Sequence, residues 1–159
     1  MTAMPPEFVR RFCDSMPPSY RQHQTNQDIV EHAEIAWRRG EELAHAEIWA
    51  KRSNAIVICL VAGNRPGLSA LIRATVVAHD LNVSAEQSYC RTNDRGESEA
   101  VFFLWLAQTH DATDNAVLEA DITGLRESLC QLLRGETDLD AVIERVSSAP
   151  PPPPANRPH

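Results

Sequence analysis

No apolar run in this chain approaches the roughly 18 residues that a membrane-spanning helix requires. The start, Met1-Thr2-Ala3-Met4-Pro5-Pro6-Glu7, has neither a basic region nor an apolar one, so no secretory signal is expected. Basic charge is scarce as well. Against 22 Asp and Glu stand 15 Lys and Arg, for a net charge of -7 over 159 residues. That balance argues against a general nucleic-acid binder, which neutralises phosphates with clustered cations. The doublet Arg38-Arg39 reads as a solvated helix face. Cys13, Cys59, Cys90 and Cys130 are far apart with no C-x-x-C pair, so no zinc site is expected and reduced thiols in the cytoplasm fit the spacing. Cys90, beside Arg91, reads as a plain strand cysteine rather than a reactive one. His23, His32, His45, His79 and His110 show no ligand spacing and read as surface or supporting residues. Asp138-Leu139-Asp140 has no third acid or histidine nearby, so a helix cap explains it better than a metal pair. No nucleophile–base pair or paired carboxylate converges on one place, so no catalytic residue, metal or cofactor is expected.

What the chain does have is Ala55-Ile56-Val57-Ile58-Cys59-Leu60-Val61-Ala62, eight apolar residues rich in β-branched types, which predict a strand covered on both faces. Gly63-Asn64-Arg65-Pro66-Gly67 ends it abruptly. Leu68, Leu71, Ile72, Thr75 and Val76 then follow the 3.6-residue period of a helix, closed by His79-Asp80-Leu81-Asn82. A strand-to-helix junction offers backbone N–H groups that suit a carboxylate or another small anion. Val83, Ala85, Gln87 and Tyr89 alternate with Ser84, Glu86, Ser88 and Cys90, predicting a half-polar strand. Asn93-Asp94-Arg95-Gly96 is a hairpin turn feeding a second doubly apolar strand over 100–107.

Residues 46–50 predict a short strand that turns back through Lys51-Arg52-Ser53-Asn54 against 55–62. Upstream, Phe8, Val9, Phe12, Cys13 and Met16 form a helical stripe ended by Pro17-Pro18. Thr25-Asn26-Gln27-Asp28 opens a second helix that carries Ile29, Ala33, Ala36, Trp37, Gly40 and Leu43. Residues 1–44 therefore read as a two-helix arm. Residues 108–120 are polar and fit no element. Ile122, Leu125, Leu129, Leu132 and Leu133 mark another helix, stopped by Gly135. Asp138 caps a last short helix with Leu139, Val142, Ile143 and Val146 inward. Trp37, Trp49 and Trp105 read as packing residues. The tail, 149–159 with Pro150 to Pro154, is extended or disordered: a solvated segment, or a ligand for an aromatic-lined groove.

This order predicts an α+β fold of the ferredoxin-like βαββα(β) kind: arm 1–44, domain 45–148, tail 149–159. In such a sheet the first and third strands are central and the second lies at an edge. No strand follows the helix that ends near Gly135, and 46–50 can take the vacant edge beside the first strand. Two helices cover one face only, while both central strands are apolar on both. A second copy of the chain is the leading candidate to cover the other face, with the arm as its rival.

The loop Val61-Ala62-Gly63-Asn64-Arg65-Pro66-Gly67-Leu68, the helix end Ala78-His79-Asp80-Leu81-Asn82-Val83 and the hairpin from Tyr89 to Leu106 resemble an ACT domain, a small regulatory ligand-binding module. The likeness covers about residues 46–136. It is closest to the ACT regions of the bifunctional uridylyltransferase/uridylyl-removing enzyme of bacterial nitrogen control, in which a strand also precedes the first core strand. Met16-Pro17-Pro18-Ser19-Tyr20 and Ile29-Val30-Glu31-His32 are similar to the segment leading into that region. The resemblance implies an amino-acid ligand held by Asn64, Arg65, Pro66, Gly67 and Leu68, with Asn82, Val83 and Ser84 from the neighbouring strand start, and a homodimer. Asn64 stands where the family usually has Asp. The enzyme's catalytic motifs and its second ACT unit have no counterpart here. A non-catalytic module that senses a metabolite or relays regulation to a partner protein is the expectation. The rival is an interaction module without a ligand, working through the arm, the open sheet face or the proline tail.

Overall fold

The computed structural model describes residues 3–51, 55–107 and 115–148. The arm holds three helices, α1 (Pro6–Ser15), α2 (Pro18–Gln22) and α3 (Asn26–Arg39). Pro17-Pro18 breaks the chain as expected, but Pro18 also starts the short α2, because proline suits a first helical turn. Thr25 and Asp28 form a reciprocal capping box: each side chain accepts from the other's backbone N–H, at 3.1 Å both ways.

Strand β1 (Ala44–Lys51), strand β2 (Ala55–Gly63), helix α4 (Leu68–Ala78), strand β3 (Asn82–Thr92) and strand β4 (Ser98–Ala107) follow, then helices α5 (Asn115–Arg134) and α6 (Leu139–Ser148). The four strands form one antiparallel sheet in the order β1-β2-β4-β3. The two doubly apolar strands are thus the central pair, the half-polar strand is an edge, and β1 takes the edge beside β2. The turn at 52–54, the tail, and the polar stretch as far as residue 114 lie outside the described residues. Helix α5 begins at Asn115, several residues before its apolar stripe.

Alternate residues of the central strands feed two separate cores, as the period of 2 requires. Ile58, Leu60, Phe102 and Leu104 pack under Leu68, Ile72 and Val76 of α4 and Leu125 and Leu129 of α5. Val57, Cys59, Val61, Val101 and Phe103 pack under Phe8, Phe12, Tyr20, Ile29, Ala33 and Ala36 of the arm. The arm, within one chain, covers the face for which a second copy was the leading candidate. Its aromatic residues give it the reach: Phe12 and Tyr20 are fully buried, and Tyr20 stacks at 6.5 Å on Phe103. Trp37, Trp49 and Trp105 pack against this second core.

Four further readings change. A β-bulge between Val83 and Ala85 breaks the alternation of β3, so Val83 joins the α4–α5 core while Tyr89 joins the arm core. Arg39 is buried rather than solvated, and Ile143 is exposed on α6 while Val142 is buried. His32 is also buried, not a surface histidine. Gly135 adopts φ 75° after α5, and the Asp138 carboxylate accepts from Ala141 N–H at 2.8 Å, so both predicted ends of the α5–α6 link hold.

His32 gives the arm a pH dependence. Its Nδ1 shares a hydrogen bond of 2.6 Å with the Tyr20 hydroxyl, its Nε2 has no partner among the described residues, and its ring lies 4.2 Å from Trp49 and 4.5 Å from Phe103. Burial pushes the imidazole pKa down from 6.5 to about 4, with only Asp28 opposing. The unfolded chain therefore binds more protons at this site between those values, and folding stability falls as pH drops from 6.5 towards 4. The full loss is on the order of 3 kcal/mol. Urea unfolding at pH 7 and pH 4.5 checks this, and His32→Gln should flatten the slope over that window. Below pH 4.5 Glu47 adds to the loss. Burial alone would raise its pKa, but bonds from His45 and Arg38 hold it at about 2.

Candidate functional site

The predicted loop leaves the top of β2 at Gly63, which pairs with Glu99. Asn64 donates its backbone N–H to Ser98 O at 2.9 Å and its side-chain amide to Ser98 Oγ at 3.1 Å, fastening the loop to the start of β4. Arg65 reaches across to the end of α5, where its Nη1 donates to Leu133 O at 3.1 Å. Pro66 continues the turn, exposed, and Gly67 sits in the left-handed region at φ 79° as the N-cap of α4. Leu68 follows, buried in the α4–α5 core.

Among the described residues no side chain caps α4. Its first turn carries the partial positive charge of a helix N-terminus and borders a hollow of about 590 Å³. The hollow is lined by the loop on one side and by Ser88 and Cys90 of β3 on the other, with Arg73 over it. Glu86 of β3 accepts from Ser69 Oγ at 3.1 Å and from Arg73 Nε at 2.6 Å, tying helix to edge strand. Among the described residues no group of three His, Cys, Asp or Glu is placed to hold a metal. Cys90 is exposed, and no described cysteine is in a disulfide.

A Cβ on Gly67 would meet no atom within 4 Å, so the position demands glycine for its backbone alone. Gly67→Ala is expected to cost about 1 kcal/mol through the left-handed strain, without a clash. Urea unfolding measures that cost.

Asn64, Arg65, Pro66, Gly67 and Leu68 are thus together at one end of the sheet. Asn82, Val83 and Ser84 are not with them. Asn82 pairs with Ala107 and Gly63 pairs with Glu99, so the two sets stand at opposite ends of β4, ~27 Å apart at ~3.4 Å per residue. Ser84 at the far end donates its hydroxyl to Trp105 O at 3.1 Å.

A second cluster went unseen in the sequence. On the arm face of the same sheet end, Glu99 accepts from Arg39 Nη1 at 2.6 Å and from Arg91 Nη1. Arg91 also donates its Nε to Ser15 Oγ at 2.7 Å and lies over the Phe12 ring at 5.0 Å. The three charged side chains are 8%, 2% and 4% exposed for Arg39, Arg91 and Glu99. Alternation offered one signal: with the bulge in place, Arg91 and Glu99 pair on the arm face, where a surface strand would put solvent-facing residues.

Comparison with protein-family models and with curated proteins finds no match to this chain.

Proposed function

We propose that this chain is a non-catalytic regulatory module of the ACT type, with the ferredoxin-like arrangement, whose ligand is an amino acid. The observation that carries the reading is the β2–α4 turn. A doubly apolar strand ends at Gly63, the turn runs on to a left-handed Gly67, and the helix that follows starts without a side-chain cap beside a hollow of about 590 Å³. Uncapped N–H groups and the helix dipole favour a carboxylate there, while the Arg73 guanidinium is already paired with Glu86.

The separation of Asn82, Val83 and Ser84 from the loop fits the same reading in a homodimer. Strand β3 is an edge of the sheet. Two copies joined antiparallel through β3 about a two-fold axis would lay Asn82 of the partner subunit beside Cys90 and the hollow. A ligand bridging the copies then favours the paired state, by no more than its difference in affinity for the two states.

Thermal unfolding of the full chain with each amino acid at 10 mM tests this. A ligand present at 100 times its Kd adds about 2.7 kcal/mol, which raises Tm by roughly 5–10 °C. No rise with any amino acid overturns the sensor. The second reading, an interaction module without a ligand, draws on the bonds of Asn64 to Ser98 and of Arg65 to Leu133, which already occupy both side chains.

A further inference from the structure

Between Phe8 of α1, the end of α3 at Ala36 and Trp37, and the β3–β4 hairpin lies a groove of about 360 Å³, on the opposite face of the sheet from the loop hollow. Arg91 and Glu99 line it, both almost wholly buried. Two guanidinium groups share one carboxylate here, so the cluster keeps one uncancelled positive charge away from water, a costly arrangement unless an anion joins it. The donors also outnumber the acceptors. Behind the groove lining, Arg39 Nε is buried with no hydrogen-bond partner among the described residues. Arg91 commits its Nε to Ser15 and its Nη1 to Glu99, and among the described residues its Nη2 makes no hydrogen bond. Beside Arg91 the walls are apolar: the Phe8 and Trp37 rings meet edge to face at 5.0 Å, with Ala36 next to them. At the rim, Asp94 is neutralised by Arg11 at 3.1 Å, while Glu41 is exposed and has no ion-pair partner among the described residues.

We infer that this groove binds a small aryl carboxylate, its single negative charge against Arg91 and its ring against Phe8 and Trp37. One negative charge matches the excess of the Arg39–Glu99–Arg91 cluster. A bare inorganic anion would leave the apolar walls wet, and a neutral aryl compound would leave the guanidinium unpaired. The volume, near the lower end for ligand pockets, suits one ring and one acid group.

The test is an NMR titration of the full ¹⁵N-labelled chain with benzoate, phenylacetate, phenylacetamide, acetate and inorganic phosphate, each to about 20 mM. Benzoate or phenylacetate should bind at about 1 mM or tighter and move the Arg91 Nε–H signal and the amides of 37–41 and 91–95. Phenylacetamide, acetate and phosphate should bind at least tenfold more weakly. Glu41→Gln, an exposed rim change that leaves the core intact, should tighten phenylacetate about two- to fivefold by removing a repelling charge. The assignment is overturned if neither aryl carboxylate binds, if the amide binds as well as the acid, if Glu41→Gln has no effect, or if the shifts fall on residues 64–70. That last result would place the carboxylate at the β2–α4 loop and leave the groove empty.

Discussion

Glu99→Ala is expected to destabilise the protein by about 3–5 kcal/mol, a large part of the stability of a domain this size. The carboxylate accepts from Arg39 and Arg91 together, and among the described residues neither guanidinium has another ion-pair partner. Its removal strands two buried cations, one on the arm and one on the sheet, so repulsion replaces the joint. Arg39 belongs to α3 and Arg91 to β3, and the damage should therefore appear as release of the arm. Urea unfolding gives the total, and amide exchange should show protection lost first over 6–39. Glu99→Gln, which keeps the shape and can still accept, should lose less. A cost below about 1 kcal/mol for Glu99→Ala would show that the pair of arginines is solvated in the folded chain.

Phe12→Ala carries the second large effect, about 3–5 kcal/mol. The Phe12 ring is fully buried, meets Tyr20 edge to face at 6.1 Å and lies under the Arg91 guanidinium. Truncation leaves a cavity where the arm meets the sheet and removes one wall of the charged cluster. Val57, Cys59, Val61, Val101 and Phe103 depend on the arm for cover, so their amides should exchange faster in the variant. Guanidinium or urea unfolding with tryptophan emission reads the loss. A change of less than 1 kcal/mol would mean that α1 is not part of the core.

What the sequence discloses follows from how patterns arise. Runs such as 55–62 and 100–107 are apolar at every position because both faces are covered, and this placed them at the centre of the sheet and demanded a cover. Thr25 with Asp28, Gly135 and Asn93 through Gly96 are local signals, each set by its own hydrogen bonds or by a left-handed φ. Their outcome did not depend on distant contacts. The identity of the cover did depend on them. An amphipathic arm and a second copy present the same apolar stripe to a reader of sequence, and the length of α3 and its fit over Val57 and Cys59 emerge only in three dimensions. The bulge in β3 hides in a similar way: inserting one residue at Ser84 changes the face of every later side chain, with no glycine or proline to mark it. Arg39 stands 60 residues before Glu99, so that pairing had no local trace, and the Arg91–Glu99 pair across the hairpin reaches the arm face only through the bulge. Of the loop residues, Asn64 through Leu68 were placed together by adjacency in the chain, whereas joining them to Asn82, Val83 and Ser84 requires a second copy.

The reading of this chain as an amino-acid sensor is tested most directly by mapping a bound amino acid on the full chain by NMR while following its mass by sedimentation. The expected result is a set of shifts at 64–70 and at 82–84 that saturate together at one ligand concentration, accompanied by conversion to a dimer. Shifts in neither segment with any amino acid, or shifts at 64–70 alone with the chain still monomeric, would contradict it.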